Sequence, residues 1–121
     1  MTDVNQLSWK DKKIIFDRPI GVCLEDKGMT FVLVETTNNL VFPNSNFQVE
    51  KFRNVLGFNS EGKLSWTIQT APILTEIDVE GPFTGLFFEN EELITYHSSG
   101  INYLVDKKTG SIRARDQFRA W

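Results

Sequence analysis

Phe58-Asn59-Ser60-Glu61-Gly62-Lys63-Leu64-Ser65-Trp66 and Val105-Asp106-Lys107-Lys108-Thr109-Gly110-Ser111-Ile112 make the same local statement twice. In each, an apolar strand end meets Asn or Asp, polar residues follow, and a glycine supplies the positive φ of a tight turn before alternation resumes. Both stretches are β-hairpin cassettes, so the chain around them is antiparallel sheet. After Gly62, Leu64, Trp66 and Ile68 point one way and Lys63, Ser65, Thr67 and Gln69 the other, which predicts one buried and one wet face.

The same signals extend along the chain in both directions. Ile14 to Phe16 opens a strand that Asp17-Arg18-Pro19 breaks. Ile20 to Leu24 runs into the turn Glu25-Asp26-Lys27-Gly28, and Met29 to Glu35 returns from it. The return strand is apolar on both faces, Phe31 and Leu33 against Val32 and Val34, which predicts a central position. Thr36 to Asn46 is loop with a short extended piece at Leu40 to Phe42, and Phe47 to Arg53 is the one place that admits a short helix. Phe83 to Phe88, Leu93 to His97, Ile101 to Asp106 and Ser111 to Arg115 follow as a four-strand meander. Turn signals roughly every ten residues predict an all-β fold: one domain over residues 1–121, an antiparallel meander of about eight or nine short strands. They form either a two-sheet sandwich or two propeller-like blades.

At 121 residues, 40% of them hydrophobic, the chain can bury a single core without disulfide or metal staples. Its one cysteine, Cys23, excludes an intramolecular disulfide and fits a reducing compartment. Met1 to Gln6 carries neither a basic nor an apolar leader, and no apolar run reaches membrane-spanning length, so the expected location is the cytoplasm, away from the membrane.

The net charge of −3 is unevenly spread. No Lys or Arg lies between Lys63 and Lys107, while Glu76, Asp78, Glu80, Glu89, Glu91, Glu92 and Asp106 all fall in that interval. A strongly acidic middle repels nucleic acid and suits a basic protein. In an extended chain Glu76, Asp78 and Glu80 line one face as a row of carboxylates, which Glu89, Glu91 and Glu92 can prolong. Such a row serves equally as a solvated strand edge guarded by like charge. Trp66 belongs to the apolar face of its strand, whereas Trp121, at the end of the chain, is a candidate contact residue.

Chemistry is sparse. Gly57 to Leu64 approximates a phosphate-binding loop but ends in Leu64, without the magnesium-binding hydroxyl, and continues as a strand where a helix is required. His97 is the only histidine; Ser98 and Ser99 beside it offer a Ser/His pair, but adjacent strand residues point to opposite faces and a turn follows at Gly100. No catalytic set, cofactor site or metal site is therefore expected.

The order of Arg53-Asn54-Val55, Asn59-x-x-Gly62-x-Leu64-x-Trp66-x-Ile68, Gly81-Pro82-Phe83-Thr84-Gly85 and Tyr96-x-x-x-Gly100-x-x-Tyr103-x-x-Asp106-x-x-Thr109-Gly110 resembles small bacterial immunity proteins of contact-dependent growth inhibition, or polymorphic toxin, systems. The cassettes are also similar to quinoprotein-type propeller blades. The resemblance implies a non-enzymatic protein that binds and neutralises a cognate toxin C-terminal domain, often a nuclease; the acidic middle suits a basic nuclease whose active site is to be blocked. Glu76, Asp78, Glu80, Glu89, Glu91, Glu92 and Trp121 are the contact candidates. A β-rich scaffold that completes its sheet with another chain is the alternative, and a small hydrolase a more distant one.

Overall fold

The structure is a computed structural model and describes residues 4–37, 39–71 and 81–115. Among them ten strands and no helix are found: β1 (Gln6–Trp9), β2 (Lys12–Ile15), β3 (Ile20–Asp26), β4 (Met29–Val34), β5 (Val55–Phe58), β6 (Leu64–Thr67), β7 (Phe83–Glu89), β8 (Glu92–His97), β9 (Asn102–Val105) and β10 (Ile112–Ala114). The number slightly exceeds the expected eight or nine because Gln6–Trp9 pairs with Lys12–Ile15 as an additional hairpin. Phe47 to Arg53 contains no helix; it is irregular chain with a turn at Lys51-Phe52.

Every pairing within the sheets is antiparallel and sequential. β3-β4-β5-β6 form a first four-stranded sheet, β7-β8-β9-β10 a second, and β1-β2 a separate hairpin. The two larger sheets face each other as a sandwich, while the hairpin covers the far side of the first. β4 explains this order of layers. Its Phe31 and Leu33 enter the core between the sheets with Trp66, Leu86, Leu93 and Tyr103, whereas Val32 and Val34 enter a second core with Leu7, Ile14, Phe16 and Phe58 under the hairpin. A strand apolar on both faces needs cover on both, and each fully buried side chain of this size stabilises the fold by about 1.5–3 kcal/mol.

Leu64 departs from the alternation that predicted its burial. It is 42% exposed, because the β5–β6 register shifts between Gly57 and Phe58 and carries the start of β6 past the core.

Both cassettes form the expected turns, and both glycines also hold a tryptophan in place. Gly62, at φ 81°, would bring a Cβ to 2.7 Å from the Trp9 ring; Gly110, at φ 75°, would bring one to 2.6 Å from the Trp66 ring. Trp66 in turn stacks on Phe31 with ring centroids 6.0 Å apart, and its Nε1 donates to the Lys107 carbonyl at 2.8 Å. One indole thus joins the first sheet to the turn of the second.

Asn54 makes the other cross-sheet connection. It is 1% exposed; its Nδ2 donates to the carbonyls of Val34 and Phe83, each at 2.8 Å, and its Oδ1 accepts from the Phe83 amide at 2.9 Å. Two predictions follow from these contacts. Asn54→Ala leaves buried backbone groups of β4 and β7 unpaired, and urea unfolding should show a loss on the order of 3 kcal/mol. Gly110→Ala should lower the urea midpoint clearly more than Gly100→Ala, since Gly100 shares a positive φ, 94°, but has nothing within 4 Å of an added Cβ. Equal losses would mean that the Trp66 contact contributes nothing.

Candidate partner-binding surface

Five hairpin connections gather at one end of the molecule: Lys10-Asp11, Lys27-Gly28, Asn59 to Lys63, Asn90-Glu91 and Asp106 to Ser111. Connected grooves cross this end. One, of about 290 Å³, lies between the sheets and is lined by Glu25, Asp26, Lys27, Phe88, Glu91 and Lys107. Another, of about 510 Å³, continues from it between Glu91, Glu92, Lys107 and Arg113.

Local chain chemistry makes these tips rigid. Lys27 and Gly28 have φ of 51° and 83°, and Asn90 and Glu91 have 51° and 66°, the two-residue turns that match strand twist. Asn90 tolerates this geometry; Glu91, with a long side chain, does so at some strain. The Glu91 carbonyl accepts from Lys107 Nζ at 2.9 Å, and the same Nζ reaches Asp26 Oδ2 at 3.2 Å and lies 5.9 Å from the Phe88 ring centroid. One ammonium therefore ties three hairpins together.

The remaining turns satisfy themselves. Asn59 Oδ1 accepts from the Glu61 and Lys63 amides at 2.8 and 3.0 Å, and the Gly62 amide donates to the Asn59 carbonyl. The amides that a phosphate would require are already donated to Asn59, so the resemblance of this stretch to a phosphate loop does not extend to its geometry. In the second cassette Asp106 Oδ1 takes the Lys108 and Thr109 amides in the same way.

His97 is buried at the opposite end of β8. Its Nδ1 accepts the Ser99 amide at 3.1 Å and lies 2.8 Å from Ser99 Oγ, while Nε2 faces the Gly81 carbonyl at 2.9 Å. An acceptor at Nδ1 places the proton on Nε2, where it is donated to Gly81. Of the two serines beside it, Ser99 supplies the hydroxyl next to the ring, and the arrangement closes the β8–β9 turn.

The sequence-derived contact residues separate into three groups. Glu76, Asp78, Glu80 and Trp121 lie outside the described residues. Glu89 is engaged: its Oε2 pairs with Arg115 at 2.6 Å. Glu91 and Glu92 are exposed at the β7–β8 tip. The fold adds Glu25 and Asp26, which sequence reasoning placed only in the turn Glu25-Asp26-Lys27-Gly28; packing of β3 against β7 brings them beside Glu91. Among the described residues, no ion pair reaches Glu25, Glu91 or Glu92; with Lys107 neutralising Asp26, and with Lys27 on the same groove, the rim keeps a smaller negative surplus.

Lys107→Met should release the β7–β8 tip while sparing the fold. A loss of roughly 1 kcal/mol in urea unfolding is expected, with faster amide exchange confined to Asn90 and Glu91. Unchanged exchange there would show that the ammonium does not hold the turn.

No curated protein and no solved structure matches the chain. No helix among the described residues is long and apolar enough to cross a membrane. A family model described as Domain of unknown function (DUF7957) matches residues 1–117, and the chain belongs to that family.

Proposed function

We propose that the chain is a one-domain immunity protein, which binds a cognate toxin domain, a basic nuclease, in the cytoplasm and neutralises it by covering its active site. The observation that carries this reading is the convergence of Glu25, Glu91 and Glu92 on one rigid end, exposed and without an ion-pair partner among the described residues. Unpaired carboxylates on pre-ordered tips lose little freedom on binding, and their field steers a basic partner to the surface. The resemblance of the cassette order to immunity proteins supports the same reading. Contact through side chains is favoured over sheet completion by the long edge strands β3 and β7. Each carries a bulge, at Gly21 and Thr84, that opposes the addition of another strand.

Coexpression with the toxin encoded beside this chain should restore growth, and the purified pair should elute as a complex. Glu25→Lys, Glu91→Lys and Glu92→Lys together should slow association about tenfold or more at low salt and flatten its salt dependence. Rescue without any change in the charge-reversed variant would keep the inhibitor and remove the rim from its mechanism; absence of rescue and of a complex would overturn the function itself.

A further inference from the structure

Two further grooves continue the candidate surface away from the second sheet. One of about 400 Å³ runs from Glu25, Asp26 and Lys27 to Trp9 and Ser60, and another of about 570 Å³ from Trp9 and Ser60 to Lys10, Lys12 and Lys63. Neighbouring grooves share residues along the whole series: Glu91 and Lys107 join the first pair, Glu25 to Lys27 the next, and Trp9 and Ser60 the last. A specific protein–protein interface takes roughly 20–30 residues from each side; the four grooves together are lined by roughly two dozen, the two beside the second sheet by little more than half as many.

Charge changes sign along this series. Each of the first three grooves is lined by one more acid than base, with Asp106, Lys107 and Arg113 included. Around the fourth, Lys10, Lys12 and Lys63 stand against Asp11 and Glu61, so a base is in surplus. Lys108, exposed in the Asp106 turn, lines none of the four. Among the described residues no ion pair reaches Lys10, Lys12 or Lys63. Local structure places two of them: Lys12 is paired in register with Trp9 across the β1–β2 hairpin, and the Lys63 amide donates to Asn59 Oδ1. Trp9 lies where the sign changes. It is half-buried, its ring held 5.4 Å from that of Phe58 and against Gly62. An indole fixed in this way loses little freedom when a partner covers it.

We propose that the partner is held across all four grooves, with Trp9 as an anchor and with a matching face of two signs: basic groups opposite Glu25, Glu91 and Glu92, carboxylates opposite Lys10, Lys12 and Lys63. Such docking rests on the inhibitory role proposed above and gives it an orientation. Attraction of one sign steers a partner to the surface, whereas two signs on either side of an anchor fix how it sits.

One-signed and two-signed docking differ in the direction of a single effect. If carboxylates alone held a basic partner, Lys10→Glu, Lys12→Glu and Lys63→Glu together would tighten binding by adding negative field. Held across the four grooves, the toxin domain encoded beside this chain should bind the triple variant about tenfold or more weakly, with the urea midpoint of the variant close to that of the wild type. Amide exchange in the wild-type complex should slow at Trp9 to Lys12 and at Asn59 to Lys63 as well as at Asn90 and Glu91. Equal or tighter binding by the triple variant, or protection confined to Asn90 and Glu91, would overturn two-signed docking and leave the inhibitor standing. A wild-type chain that forms no complex would overturn both.

Discussion

Asn54 is a fully buried amide whose side chain is bonded to both sheets at once, and the geometry of the rest depends on what it fixes. It binds the carbonyl at the end of β4 and both backbone groups at the start of β7, so the second sheet begins at a set height against the first. Apolar packing alone is tolerant of sliding, because Leu, Val and Phe make non-directional contacts. A hydrogen-bonded amide in a low-dielectric core is not tolerant, since any slide leaves donors and acceptors unpaired. With that height fixed, seven-residue strands β3 and β7 end side by side, and their tips meet where Lys107 can bridge them.

The tryptophan contacts act at the same tip end, on the neighbouring hairpins. Trp9 against Gly62 holds the β1–β2 hairpin on the first sheet, and Trp66 against Gly110 holds the β9–β10 hairpin on it. Both glycines already have the positive φ their turns demand, so one residue serves the turn and the packing. The opposite end of the molecule is held by Asn54 instead. There the connection from Glu35 to Asn54 runs without a strand among its described residues, and Leu40 and Val41 are exposed on it.

Much of this was legible in the chain because it depends on local chemistry. The meander from Phe83 to Arg115 matches its sequence signals to within a residue or so at each end, since Asn90, Gly100 and Gly110 punctuate it clearly. The central place of β4 followed from its two apolar faces. β1 was not legible: Gln6 to Trp9 is four residues long and turns through Lys10-Asp11 without the Gly or Asn that marks a hairpin. The exposure of Leu64 depends on a register shift, which alternation cannot anticipate. Charge was the least legible property. Glu89 belongs by sequence to an acidic run, yet its partner Arg115 arrives from the other edge of the sheet, while Glu25 and Asp26 join the rim only through tertiary packing.

That last difference bears on how a small sheet protein can hold both a stable fold and a specific surface. The side chains that fix the fold, Asn54, Trp66 and the β4 row, are all buried in or between the sheets. The exposed carboxylates of the rim contribute little to stability, so their pattern is free to follow a partner. Lys107 lies at the boundary between these two sets. Its ammonium neutralises one rim carboxylate, and its bond to the Glu91 carbonyl holds a strained turn in place. Presentation of Glu91 and Glu92 therefore depends on a residue of the second cassette, whose own position is set by the hydrogen bond from Trp66 to its backbone. The path from core to surface runs through that one hairpin, from indole to carbonyl to ammonium to the acidic tip.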